Sequence, residues 1–101
     1  MPGRASPHQP FAVPKFKRIK KRLPSPLRIE LDRQVRVICS DPRVGEAKTG
    51  DLQGVRVHKF SFLGQLYLLA YCVDESEEAV YFLAVGGHEN FYRDLKKYLK
   101  S

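Results

Sequence analysis

Near the end of the chain the stretch "GGHENFYRDLKKYL", Gly86 to Leu99, sets a histidine, a carboxylate and a phenol at the mouth of a helix. His88 and Tyr92 are four residues apart, so a helical first turn puts them on a common side. Imidazole is the side chain that exchanges a proton near physiological pH, which makes His88 the first candidate for acid–base work. A helix-entry histidine making a local hydrogen bond is the competing reading. Glu89 could act as a base, yet a carboxylate at a first helical turn is favoured by the helix dipole alone. Arg93, one turn after Glu89, could pair with it or contact a phosphate.

A second group stands mid-chain, where Arg56, His58 and Lys59 follow a glycine-punctuated stretch that carries Lys48. Together they could form the cationic wall of a phosphate-binding groove. Period two places Arg56 and His58 on one face with Phe60 and Phe62, and Val55 and Val57 on the other with Lys59. Arg56 and His58 are thus the expected pair, and Lys59 is expected to point away. Solvent-exposed strand residues are the competing explanation for all three.

These groups must be held by a chain of only 101 residues, which supports one domain. Hydrophobic residues make up 43% and aromatics 11%, enough for a packed interior. The formal charge is +7, but it is unevenly spread: residues 1–28 carry eight bases and no acid, whereas the remainder has ten bases against eleven acids. A local positive field of this kind favours polyanions such as nucleic acid, or an acidic protein segment. Cys39 and Cys72 have no metal-ligand spacing, so reduced thiols in a cytoplasmic protein are expected. No apolar run reaches the roughly 18 residues of a membrane span, and the N-terminus lacks a secretory apolar core.

Residues 1–10, with three prolines and small polar residues, are expected to be a flexible tail before a single domain at 11–101. "FAVPKF" reads as an edge strand or extended lead-in because of Pro14. Phe16, Ile19 and Leu23 recur at helical spacing from Lys15 to Leu23, with Lys17, Arg18, Lys20, Lys21 and Arg22 on the other faces. After "LPSP", Ser25 is the expected N-cap and Pro26 the first helical residue. Leu27, Leu31, Val35 and Ile38 then mark a second helix ending before Asp41-Pro42. The two helices are expected to form an antiparallel hairpin.

"RVGEAKTGDLQG" has no sustained period and reads as a loop of functional length. Three strands follow, at Val55–Leu63, Gln65–Val73 and Ala79–Val85, with turns at Leu63-Gly64 and Asp74–Glu78. The second and third are apolar on both faces, as central strands are. Phe91, Leu95, Tyr98 and Leu99 stripe a closing helix from about Asn90. The expected architecture is α+β: a strand, a helix hairpin, a three-stranded antiparallel meander and a C-terminal helix.

In this order, the basic hairpin, "GDLQGVR" with Gly50-x-Leu52-x-Gly54, "YLLAYCVD", and "LAVGGHENFYRDL" with Gly87-His88-Glu89 and Tyr92 resemble the RelE/ParE superfamily of bacterial type II toxins. The resemblance spans Phe11 to Leu99. It implies a small antiparallel sheet packed against helices and neutralisation by a cognate antitoxin that adds a helix or strand. RelE-like members cut messenger RNA on the ribosome without a metal, whereas ParE-like members poison DNA gyrase. Metal-free cleavage needs a proton taken from the 2′-hydroxyl, cations around the phosphorane and a proton for the leaving oxygen. The resemblance points to His88 and Tyr92, and with the charge pattern the expected catalytic residues are His88, Tyr92 and Arg56 and the expected RNA contacts Lys48, His58, Lys59, Arg93, Lys17, Lys20 and Lys21.

One departure stands out. RelE-like nucleases often carry an arginine just after the strand aromatic, and here Tyr67 is followed by Leu68. Either Arg56 or Arg93 then supplies that charge, or the activity is not RNA cleavage. The expected function is a ribosome-dependent messenger RNA endonuclease without cofactor or metal. The other readings are a non-catalytic gyrase inhibitor and a nontoxic RNA-binding module.

Overall fold

In a computed structural model of the protein, residues 7–100 are described. The chain runs β1 (Gln9–Ala12), α1 (Pro14–Lys21), α2 (Ser25–Ser40), β2 (Glu46–Ala47), a 3-10 turn at Gly50–Leu52, β3 (Arg56–Phe62), β4 (Gln65–Asp74), β5 (Ala79–Gly87) and α3 (Phe91–Lys100). One sheet holds all five strands in the order β1-β5-β4-β3-β2. The β3–β4–β5 meander is antiparallel, as its short turns require, and β1 adds in parallel at the outer edge of β5. The fold is α+β, as the periodicities predict.

Several boundaries move. β1 takes in Gln9 and Pro10, two residues of the expected tail; residues 1–6 of that tail lie outside the described residues. Pro10 is tolerated because β1 is an edge strand. Pro14 opens α1, where its missing N–H leaves no bond unmade. Ser25 is already helical rather than the N-cap, which is Pro24, whose carbonyl accepts from the Arg28 N–H. The expected loop at 43–54 contains the two-residue strand β2, paired with Arg56 and Val57.

The sheet separates two cores. On one side Phe16 of α1 and Leu27, Leu31 and Ile38 of α2 pack on Phe60, Leu69, Tyr71, Val80, Phe82 and Val85. On the other, Phe91 and Leu95 of α3 pack on Val57, Leu68, Ala70, Leu83 and Ala84. Period-two alternation sends Leu69 and Tyr71 to the first core and Leu68 and Ala70 to the second. The exception is Leu83 and Ala84, neighbours that share the α3 side. A bulge causes it, since Ala70 pairs with Ala84 but Tyr71 pairs with Phe82, leaving Leu83 as the extra residue.

The turns follow their backbone demands. Leu63 and Gly64 both adopt positive φ, 51° and 79°, the two-residue turn that matches the twist of a hairpin. Leu63 is 89% exposed, so its side chain contributes little to that turn. Lys20 of α1 donates to Asp32 of α2 at 2.6 Å, tying the two helices together.

Candidate functional site

The loop between α2 and β3 is held by a buried phenol. Tyr71, 0% exposed, donates its hydroxyl to the Pro42 carbonyl at 2.7 Å and accepts from the Gly45 N–H at 2.9 Å. A side chain at Gly45 would place its Cβ 2.6 Å from the Tyr71 hydroxyl, so the approach requires glycine. Arg56 completes the clamp by donating through Nη1 to the carbonyls of Gly45 at 2.6 Å and Arg43 at 3.4 Å. This anchoring delivers β2, with Glu46 opposite Val57, to the α3 side of the sheet.

Here Lys48 donates to Glu46 at 3.0 Å, and its ammonium lies 5.1 Å from the centroid of the Tyr92 ring. The hydrogen bond to Glu46 holds the Lys48 pKa above its ordinary value, with Tyr92 adding to the effect, so Lys48 is a fixed cation. The Glu46 carboxyl is correspondingly lowered, first by that hydrogen bond and then by the charges of Lys48 and Lys59. Tyr92, half-buried, stands edge-on to Phe91 with ring centroids 5.6 Å apart.

Lys59 belongs to this group. It is the register partner of Leu68, which in turn pairs with Gly86, so the three form a row across β3, β4 and β5. Leu68 is 0% exposed in the core beneath α3. A cation absent at position 68 is thus found one strand away at Lys59, on the same face. Neither Arg56 nor Arg93 takes that place: Arg56 is spent on the loop, and Arg93, exposed, lies 3.9 Å from Asp94.

Arg56 and His58 share one face of β3, as period two predicts. Their face is the one covered by α2, where His58 Nε2 meets Gln34 Oε1 at 2.7 Å and the ring stacks near Phe60. Burial pushes the His58 pKa down, so the imidazole is neutral at pH 7. The alternation is regular, as expected; what the sequence leaves open is which face α2 covers. Lys59 points away from Arg56 and His58, and that is the side that opens toward Tyr92.

His88 follows the end of β5 and is exposed; its carbonyl accepts from the Phe91 N–H at 3.4 Å. Asn90, at φ 64°, makes the turn into α3, a conformation that asparagine tolerates. Of the α1 cations, Lys17 and Lys21 are exposed, whereas Lys20 is paired with Asp32. Glu46, which holds Lys48, and Tyr71, which holds the loop, are not among the site candidates that the sequence pattern singles out. Among the described residues no group of three or more His, Cys, Asp or Glu side chains stands close enough to hold a metal ion.

Lys48, Glu46 and Tyr92 thus form an open cation–carboxylate–phenol group on the α3 side of the sheet. Residues 11–96 match the family model described as "ParE-like toxin of type II bacterial toxin-antitoxin system". The chain therefore belongs to the ParE-like toxins, within the RelE/ParE superfamily that the sequence motifs resemble. Solved structures agree on the fold. The free E. coli toxin RelE, as a double arginine variant, is 18% identical with a TM-score of 0.74, covering 94% of this chain and 98% of its own. The toxin–antitoxin complex RelBE2 from Mycobacterium tuberculosis gives 21% identity and a TM-score of 0.69, covering 81% and 92%. The intact E. coli RelBE complex gives 21% and 0.67, covering 81% and 98%. No curated protein matches the chain. No helix among the described residues is long and apolar enough to cross a membrane.

Proposed function

We propose that this toxin is a ribosome-dependent messenger RNA endonuclease, working without a metal or cofactor in the cytoplasm and neutralised by a cognate antitoxin. The observation that carries the reading is the convergence of Lys48, Lys59 and Tyr92 on the α3 side of the sheet. A phosphodiester entering there meets two cations that oppose the charge developing on the phosphorane. Lys48 remains protonated, so its role is electrostatic rather than basic. Tyr92 offers a ring for a base and a hydroxyl for a phosphate. His88 is the proton carrier, taking the 2′-hydroxyl proton and returning one to the leaving 5′-oxygen. Arg56 and His58 act from behind, by holding the loop and α2. The RelE complexes with antitoxin among the similar structures support a protein partner of that kind.

A second reading, a non-catalytic inhibitor of DNA gyrase, draws on the ParE-like family model and on Leu68 standing where RelE-like nucleases often carry an arginine. Translation in vitro followed by primer extension separates the two. Discrete cuts that require ribosomes are expected; their absence together with gyrase-linked DNA breaks would establish the second. His88→Ala should abolish growth arrest while leaving the protein folded, and undiminished arrest by a stable variant removes His88 from catalysis.

A further inference from the structure

A cavity of about 510 Å³ lies between α1 and α3, away from the site above, and is lined by Lys15, Arg18, Ile19, Arg22, Lys97 and Tyr98. Four of these six residues are cations and none is an acid. Lys15, Arg18 and Ile19 lie on α1 and Arg22 is its C-cap, the spacing of a single helical face. Like charges at that spacing oppose one another, and among the described residues no ion pair relieves Arg18, Arg22 or Lys97. Lys15 instead rests over the Tyr98 ring, 4.4 Å from its centroid. The neighbouring recess that shares Lys15 and Ile19 contains Glu89 and Asp94, so the cationic lining ends at Lys15.

We propose that this α1–α3 cavity is a second phosphate-backbone binding site, one that grips RNA outside the candidate active site. The inference rests on reading the chain as acting on RNA. Arginine presents a planar fork that fits phosphate oxygens in pairs, and Arg18 and Arg22 set two such forks one turn apart. A protein partner would be met by apolar anchors at the centre of its footprint, with charges at the rim. This cavity instead sets four cations, drawn from both helices, against two apolar walls, Ile19 and Tyr98. The residues differ from the Lys17, Lys20 and Lys21 set named by sequence pattern: Lys20 is already paired, and Lys97 joins only because α3 lies beside α1. The site also ties the last turns of α3 to α1, and α3 is the helix whose first turn carries Tyr92.

The test is fluorescence anisotropy with a labelled RNA hairpin of about 20 nucleotides, chosen to span both helices, across a salt series. Arg18→Gln with Lys97→Gln should weaken binding about tenfold and lower the log–log salt slope by about 2. Arg33→Gln with Arg36→Gln, the same charge change on α2, should weaken it less than about twofold. Both α1 and α3 substitutions fall at exposed positions, and thermal melts confirm folding. The proposal is overturned if the parent chain binds no RNA, if the two double variants lose affinity equally, or if the cavity variant loses none. It is also overturned if a glutamate-rich peptide of equal charge binds the parent more tightly than the hairpin and depends on Arg18 and Lys97. Message cleavage is scored separately: cuts made with unchanged RNA binding in the cavity variant sink the cavity and spare the nuclease. Lost binding in that variant with no cuts by the parent does the opposite.

Discussion

The two faces of the sheet use similar residues for opposite ends. Beneath α1 and α2, Arg56, His58 and Tyr71 are each committed to a partner within the protein: loop carbonyls, Gln34, and the Pro42–Gly45 backbone. Beneath α3, Lys48 and Lys59 keep their charges close to the surface, with Glu46 accepting a hydrogen bond from Lys48. The difference follows from coverage. Helix α2 spans sixteen residues and buries four of them, while α3 spans ten and buries Phe91 and Leu95. A polar group under the longer helix must find an internal partner, because leaving it unmade costs about 1–3 kcal/mol. A polar group beside the shorter one can wait for a ligand.

That contrast can be broken by substitution. Tyr71→Ala removes a buried ring and both loop hydrogen bonds, and should cost about 4 kcal/mol of stability in urea unfolding. A loss below about 1 kcal/mol would mean that the closed face is not the structural one. On the other face, Lys59→Ala should lower ribosome-dependent cleavage by about 100-fold while changing stability by no more than about 0.5 kcal/mol. Unfolding in proportion to lost activity would erase the distinction. Arg56→Ala should cost about 2 kcal/mol through the freed carbonyls, and cleavage per folded molecule should hold within about threefold. A 100-fold drop in a folded Arg56→Ala protein would return this residue to the active site.

The smallest effect is a pH dependence. His58 is held neutral by burial, so its folded pKa lies below the unfolded one, and below neutrality the unfolded chain binds the extra proton first. The contribution is therefore present above the unfolded value near 6.5 and is lost as pH falls through the folded value. Stability should decline on acidification from pH 7, and the His58→Gln variant should lack that part of the slope. Parallel curves for the two proteins would show that His58 is not buried as a neutral group.

Much of this was legible in the sequence. The stripes Leu27, Leu31, Val35, Ile38 and Phe91, Leu95, Tyr98, Leu99 mark the helices; five of these residues are buried, Val35 and Tyr98 are half-buried and Leu99 is exposed, and Leu63-Gly64 marks a turn. The alternation in β3 was also correct, including the separation of Lys59 from Arg56 and His58. The candidate site was read less well, because alternation says which residues share a face but not which face a helix will cover. Glu46 was invisible because β2 is only two residues long, too short for any period. Tyr71 was read as a strand residue, since nothing local shows that its hydroxyl reaches a loop 26 to 29 positions away.

By itself the sequence determined the three helices and the β3–β4–β5 meander, the central place of β4 and β5, the superfamily and the cationic character of the N-terminal helices. The elements and the charge rest on spacing and composition within short windows, whereas the superfamily rests on the resemblance of the motifs taken in order. Tertiary structure alone decided that Lys48 and Lys59 stand together with Tyr92, that Arg56 and His58 turn to internal partners, and that Lys97 closes a basic cavity with α1. Those outcomes depend on strand pairing and helix coverage between residues far apart in the chain, and contacts of that range leave no period in the sequence.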